Sequence, residues 1–587
     1  MIKKYFLFWL LAFIFLASSW SLFHPGFFRV HDYVHGARIA EMYRGLAEGQ
    51  FPVRWSENFG YGYGMPLYLF YAPLPYYVGA LFYWLSFDLV LSVRLLFLLA
   101  NGGTIIGGYL LGRKLFGTTG GVLVSAAIAL APYRAVNLFV RGAVSEAWAI
   151  MFMPFILYFG MELLSQKPTA KKSSLFAGLV LSVAGLMLSH NLTTLMFVPL
   201  SFIFLAMYSV LIKRQATLLD SFKRVAVVTF GYLLAGGLSA FYMVPAVMEK
   251  DLTQIESILS GYFHYSHHFL YIRQFFNPTW GYGGSEWGPD DGISFFLGWG
   301  QWLGLVVVTV LVTQTCFHYL KKKTSFKSLR LQLVLFSLSS LVVGVSLYLS
   351  LLKSKWLWDI FPLLPFIQFP WRWLSVTIIF VALLTGLATQ FLNTKKSRWL
   401  YGGVLLLTLV FNAQYFRPER YLDDAAGYYY ADEQRIREQM SDILPDYLPK
   451  DLKVRTDPTQ PEASYLAPRQ EEELVREADE VKTKIKSILV DKGHQKMLSI
   501  DLPEATPLTF AVAYFPGWQA EVDGQAVDVS ASATGLVEVW VPAEEHTVAI
   551  FFGRTPVRVL ADIMSLVSLL LFIFILLPIS RFNKNQL

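Results

Sequence analysis

Cysteine is nearly missing: Cys316 is the single one in 587 residues, and it lies inside an apolar run. No intrachain disulfide can form, and the redox compartment is not readable from thiol usage. Charge is scarce too. Only 16% of residues are Asp, Glu, Lys or Arg, against 55% hydrophobic, which excludes an ordinary soluble enzyme. Few ionisable residues fall in the middle of the apolar runs, which counts against a transporter built around mid-membrane charges. The net charge of +7 does not point to nucleic acid, because the basic residues lie mostly in short segments between apolar runs. The first run, 5–22, follows Lys3 and Lys4, but no small-residue cleavage site precedes Phe23. It is therefore expected to stay as a first helix and not to be removed as a signal peptide.

What is present is apolar length. Mean hydropathy is +0.46, and runs of membrane-spanning size recur to the end of the chain. Seven basic clusters separate them: Lys3/Lys4; Arg113/Lys114; Lys167/Lys171/Lys172; Lys213/Arg214/Lys223/Arg224; Lys321/Lys322/Lys323/Lys327/Arg330; Lys395/Lys396/Arg398; and Arg581/Lys584. Placing all seven in the cytoplasm gives about twelve spans with both termini inside: 5–22, 90–112, 118–133, 147–165, 173–189, 193–212, 224–245, 298–319, 331–352, 373–392, 399–415 and 557–580. The run 66–86 is apolar, but Pro66, Pro73 and Pro75 crowd its start and no basic cluster separates it from 90–112. It is expected to lie at the outer surface or to be re-entrant.

With that topology, ionisable side chains collect on the outer face. The segment 27–60 holds His31, Asp32, His35, Arg38, Glu41, Arg44 and Arg54 among aromatic residues. Apolar spacings of three and four predict an amphipathic surface helix from Asp32 to Glu48, with Asp32 at its N-terminus, where free N–H groups favour a carboxylate. Further outer turns carry Arg134, Arg141 and Glu146, then His190 and Asn191, then Asp359, Gln368 and Arg372. Ionisable groups at a membrane boundary are costly unless they face water, a partner or a ligand, so their convergence from separate loops suggests a site.

The organisation expected is a membrane domain at 1–415 with a catalytic first outer loop at 23–89, an extracytoplasmic region at 416–556, and a last helix with a cytoplasmic tail at 557–587. In 416–556, QRIREQM and RQEEELVREADEV read as helical. Residues 482–553 alternate in short segments, with Asp523–Gly524 as a hairpin turn, and predict a small antiparallel β-sandwich.

Several stretches together resemble a known class: VHDYVHGARI with GQFPVRW, YGYGMPLYLFYAPLPYYVGA, PYRAVNLFVRGAVSE, LSHN, FIQFPWRWL, AYFPGWQAEVDGQAVDV and FFGRTPVRVLADIMSLVSLLL. In order and placement, over most of the chain, they resemble the GT-C class of integral-membrane glycosyltransferases. More narrowly, they resemble YfhO-type and 6-pyruvoyl-tetrahydropterin synthase-related bacterial membrane proteins, although no pterin chemistry is visible. The resemblance implies a GT-C-like helical fold in a bacterial inner or plasma membrane. It implies a polyprenyl-phosphate sugar donor, an envelope glycan, lipid or protein acceptor, and an acidic catalytic residue in the first outer loop, which maps onto Asp32. The chemistry agrees: an attacking hydroxyl must lose a proton to a base, and a phosphate leaving group needs cations, for which Arg141 and Arg372 are candidates. Glu146 is the second acid, expected to orient Asp32, bind acceptor or ligate a divalent metal. His31, His35, Arg38 and His190 are candidate substrate contacts. No cofactor is fixed by the sequence. The alternatives are a flippase or transporter of a lipid-linked saccharide and a non-catalytic scaffold that binds envelope polymer.

Overall fold

The computed structural model describes residues 2–165, 172–212, 218–323, 325–392, 397–422, 433–441, 445–454, 465–469, 473–476 and 479–577. Lys167, Lys171, Lys213, Arg214, Lys395, Lys396, Arg581 and Lys584 of the basic clusters lie outside them, as does part of RQEEELVREADEV.

The protein is an α-helical polytopic membrane protein with a β-sheet domain near its C-terminus. Among the described residues, eight helices are long and apolar enough to cross a membrane, or nine if the bent pair Leu219–Leu238 and Ala240–Met248 counts as one span. Three of the twelve predicted spans are short helices, and two of these, 118–133 and the run from 173, are short for full spans in the sequence itself. The helix Leu89–Ala129 reverses at Gly117 (φ 77°, ψ −175°), a backbone conformation open essentially to glycine alone. Its arms fold back on each other: a Cβ on Gly112 would meet Gly121, one on Gly108 would meet Ser125, and Ser125 Oγ donates to the Ile105 carbonyl at 2.9 Å. Small residues thus let the backbones touch. The second arm, 118–129, rises only about 18 Å and ends before Pro132, short of a ~30 Å hydrocarbon layer. The helices Ser173–Met187 and Ser397–Asn412 are short as well. The run 66–86 forms a single turn, Leu67–Phe70, and the helix Leu74–Ser86, too short to span.

Helix α1 (His35–Ala47) corrects the surface-helix expectation twice. It starts three residues later than predicted: Val34 occupies the cap position without a side-chain cap bond, so Asp32 is not an N-cap. Nor does it present a solvated face. His35, Arg38, Ile39, Glu41 and Met42 are all buried, because Leu74–Ser86 covers one side and the loop 53–66 another. Glu41 closes that packing by accepting from Ser56 Oγ (2.8 Å), Asn58 N (3.0 Å) and Asn58 Nδ2 (2.7 Å).

The β-domain is the predicted sandwich. Strands β1 (Ile485–Lys492), β2 (Gln495–Leu502), β3 (Thr506–Ala513), β4 (Trp518–Val522), β5 (Gln525–Val527), β6 (Val529–Ala531), β7 (Leu536–Val541) and β8 (Glu544–Phe552) form two sheets, in the orders β1-β2-β8-β4-β5 and β3-β7-β6. All pairings are antiparallel, and Asp523–Gly524, both at positive φ, turn β4 into β5. Alternate residues Leu498, Ile500, Leu508, Phe510, Val539, Val548 and Ile550 fill the space between the sheets. One helical expectation fails here. Leu474–Arg476 is extended and pairs beside β3, with Arg476 N donating to Thr509 O at 2.9 Å and Ala511 N to Leu474 O at 2.9 Å.

This domain is not a loose appendage. Its core runs into that of the first loop, where Trp55 packs on Trp518 (5.2 Å) and Phe552 (4.8 Å). Lys496, 1% exposed, pairs with Glu57 at 2.7 Å across the same boundary. At the opposite end of the bundle, helix turns hold one another: Lys114 pairs with Glu162 at 2.7 Å, Arg330 Nε donates to Leu211 O at 2.6 Å, and Gln390 Nε2 to Phe116 O at 3.1 Å.

Candidate functional site

At the end of the bundle that carries the β-domain, the loops enclose a cavity of about 820 Å³. His31, Asp32, Arg38, Arg141, Glu146, His190 and Arg372 all line it. Of the eight candidate catalytic and substrate-contact residues, only His35 is set back from its surface, while Glu41, Arg44, Arg54, Arg134 and Asp359 of the outer-face groups do not line it.

Asp32 is placed by backbone pairing. His31 N donates to Val140 O at 3.0 Å and Asp32 N to Arg141 O at 2.8 Å, which brings the carboxylate beside the Arg141 turn. His31 is exposed, with Nε2 at 3.0 Å from the Tyr282 carbonyl. His35 fastens the start of α1 to the same turn: Nε2 donates to the Gly142 carbonyl at 2.6 Å, so Nδ1 accepts from the Tyr76 hydroxyl at 2.9 Å. Burial, then the neighbouring Arg38, pull its pKa down to about 4, so it is a neutral strut and not a ligand-binding cation. Gly142 itself is required, because its φ is 69° and a Cβ there would strike Val30.

Three guanidinium groups meet in the cavity. Arg38 lies over the Tyr71 ring at 4.1 Å and Nη1 donates to Tyr76 Oη at 3.4 Å. Arg141 lies over Trp371 at 4.8 Å, and Nη1 donates to Glu146 Oε2 at 2.5 Å and Asn137 Oδ1 at 2.7 Å. Arg372 lies over Phe369 at 4.8 Å and donates to Ile367 O (2.7 Å) and Gln368 Oε1 (3.1 Å). Gln368, at φ 64°, takes a strained turn that presents both acceptors to Arg372. Arg38 and Arg372 are buried, yet the Nε of each has no hydrogen-bond partner. The same holds for the Nε of Arg54, Arg94, Arg134 and Arg224, which do not line the cavity; what sets Arg38 and Arg372 apart is that both guanidinium groups line it and offer it positive charge.

Glu146 is committed elsewhere than expected. Oε1 accepts from the Tyr133 hydroxyl at 2.7 Å and Asn137 Nδ2 at 3.4 Å, while Oε2 is taken by Arg141, so Glu146 orients Arg141 and not Asp32. Among the described residues, no three His, Cys, Asp or Glu side chains stand close enough to share a metal ion. His190 Nδ1 accepts from Thr193 N and Oγ1, and burial pulls its pKa down to about 3, so a neutral imidazole faces the cavity.

The structure adds residues that sequence reasoning missed. Tyr71, Lys250, Asp446 and Tyr447 also line the cavity. Asp446 had no local signal, since its segment meets the cavity only through the tertiary fold. The rest of the lining mixes polar residues such as Asn191, Thr194 and Ser257 with apolar ones such as Leu195, Met243, Val247 and Leu363. Val247 and Leu363 are themselves exposed, beside exposed Met248 and Phe361, so the cavity opens sideways through an apolar rim.

Fold and cavity together define an integral membrane protein with a buried, cation-rich pocket that opens along its apolar flank. The chain belongs to the 6-pyruvoyl-tetrahydropterin synthase related domain family of membrane proteins, which residues 68–416 match. An uncharacterized protein of Lactococcus lactis subsp. cremoris (strain MG1363) is 26% identical over 268 residues, 44% of this chain and 40% of that protein. Among solved structures, the chain is similar to the arabinofuranosyltransferase AftD from Mycobacteria (14% identity, TM-score 0.40, covering 71% of this chain and 27% of that one). It is also similar to the oligosaccharyltransferase of Archaeoglobus fulgidus (11% identity, TM-score 0.42, covering 72% and 57%). The chain thus spans less than two thirds of each of these relatives.

Proposed function

We propose that the protein is a membrane glycosyltransferase that moves a sugar from a polyprenyl-phosphate donor to an extracytoplasmic acceptor: an envelope glycan, lipid or protein. The observation that carries this reading is that two guanidinium groups, Arg38 and Arg372, line the same cavity as the Asp32 carboxylate. A phosphate ester with a reactive carbon at its edge needs both signs of charge side by side. The apolar rim at Val247 and Leu363 suits a polyprenyl tail that stays in the bilayer while its phosphate reaches inward.

In this mechanism Asp32 accepts the proton of the acceptor hydroxyl as its oxygen bonds to the anomeric carbon. The bond from that carbon to the phosphate oxygen breaks, and the electron pair leaves with the phosphate. Arg38 and Arg372 receive the growing negative charge, and Arg141, aimed by Glu146, adds field without being free to move. The cavity end of the protein is extracytoplasmic, in a bacterial inner or plasma membrane, and the basic turns at the other end are cytoplasmic. The test is purified protein with a panel of synthetic polyprenyl-phosphate sugars. Release or transfer of sugar is expected; intact donor throughout the panel would sink the reading.

A further inference from the structure

Asp446 is 5% exposed and lines the cavity, yet it belongs to the segment between the last helices of the bundle and the β-domain. That segment is stitched down on both sides. Gln254 N donates to Leu448 O and Lys450 N to Leu252 O, both at 3.0 Å, while Lys453 N donates to Thr534 O of the β-domain at 3.1 Å. Tyr447 packs against Phe70 (6.3 Å) and Tyr71 (5.9 Å). The turn Pro445–Tyr447 is therefore a fixed part of the cavity wall.

We propose that Asp446 faces the acceptor within this cavity and holds its hydroxyl groups as a carboxylate, so that the C-terminal region completes the acceptor half of the site. This inference rests on the glycosyl-transfer reading. Its physical ground is the chemistry of a carboxylate on the cavity wall. A second carboxylate repels a phosphate, but it suits a neutral, hydroxyl-rich ligand, which can donate two hydrogen bonds to one carboxyl group. Burial also raises the Asp446 pKa to about 6, with Arg38 opposing the shift. Its neighbour Tyr447 bonds to it and is in turn faced by Tyr71 and by Tyr242 of the helix Ala240–Met248; Lys250 lies on the same cavity wall, and the packed turn Ile255–Leu259 carries Glu256, which is exposed. A carboxyl group buried at a cost to the fold, in the wall of a ligand cavity, is the signature of a group kept for binding.

The sign of the stability effect separates this from a structural role. The ionised carboxylate is disfavoured in the folded state, so the penalty is absent below the ordinary carboxylate pKa and fully present above about 6. Asp446→Asn is therefore expected to raise the melting temperature of the detergent-solubilised protein at pH 7.5, with the gain shrinking towards zero at pH 4. With a synthetic polyprenyl-phosphate sugar as donor and a methyl glycoside as acceptor probe, the same variant is expected to raise acceptor KM about tenfold at pH 7.5. Donor KM and kcat should be unmoved, and wild type should approach the variant's acceptor KM as pH falls through 6. A lower melting temperature at pH 7.5, or an unchanged acceptor KM beside active wild type, overturns the proposal. If wild type transfers no sugar at all, the glycosyl-transfer reading fails, and the melting comparison still decides whether Asp446 is held against the fold or for it.

Discussion

The guanidinium groups of the cavity divide by what already holds them, and this sets the outcome of single substitutions. Arg372 lines the cavity, so Arg372→Lys, which retains charge but loses the planar fork, should cut sugar transfer clearly in the folded protein, and wild-type transfer would contradict its role. Glu146 and Arg141 form a buried pair. Glu146→Gln strands a buried charge and should destabilise the protein by roughly 3 kcal/mol, visible as a lower melting temperature with or without substrate. His35 makes the fold acid-sensitive. Its folded pKa of about 4 lies below the ordinary 6.5, so its contribution is complete above pH 6.5 and is lost as pH falls from there towards 4. The loss approaches about 3 kcal/mol at 1.36 kcal/mol per pKa unit. Thermal melts from pH 7 to pH 4.5 should fall accordingly in the Asp446→Asn variant, where the opposite titration of Asp446 is absent, and a flat profile there would contradict the neutral-strut assignment. The cavity residues at this scale were legible because charge stands out against 55% hydrophobic residues. Their pairing was not. Glu146 meets Arg141, Asn137 and Tyr133 through one turn of chain whose geometry no spacing rule encodes.

At the scale of elements, periodicity marked α1 but misplaced its start and its surroundings. Asp32 reads as a cap because Asp is a good one, yet its backbone N–H is spent on Arg141 O, and the helix waits until His35. Burial on several sides comes from the loop 53–66 and the helix Leu74–Ser86, partners that amphipathic pattern cannot reveal. The hairpin in Leu89–Ala129 was visible as two apolar runs around Arg113 and Lys114, the second already short for a full span, though not the close backbone contact between its arms. Gly117→Ala is expected to cost about 1–3 kcal/mol, because its φ and ψ belong to the glycine-only region. A melting temperature equal to wild type would mean that the turn relaxes freely.

For the whole molecule, the sequence showed a membrane part and a β-sandwich but not the seam between them. Trp55, Trp518 and Phe552 share one core, and the Lys496–Glu57 pair crosses it, so the β-domain braces the loop that leads from α1. Trp518→Ala should cost about 3–5 kcal/mol and open the first loop to protease, although Trp518 is not a lining residue of the cavity. The proposed orientation is tested in a Cys316→Ser background, in which Ser530→Cys should react with an impermeant maleimide on intact cells and Lys327→Cys should not. The reverse pattern would put the cavity in the cytoplasm.

The function proposed for the assembled molecule passes through one carboxylate. Asp32→Asn keeps size and polarity and removes the base. The side chain makes no cap bond, so the variant should be produced and melt like wild type. Sugar transfer from a synthetic polyprenyl-phosphate donor should then fall by about 10²–10⁴-fold, the range general-base assistance supplies. A folded Asp32→Asn protein that transfers sugar at the wild-type rate would contradict the mechanism.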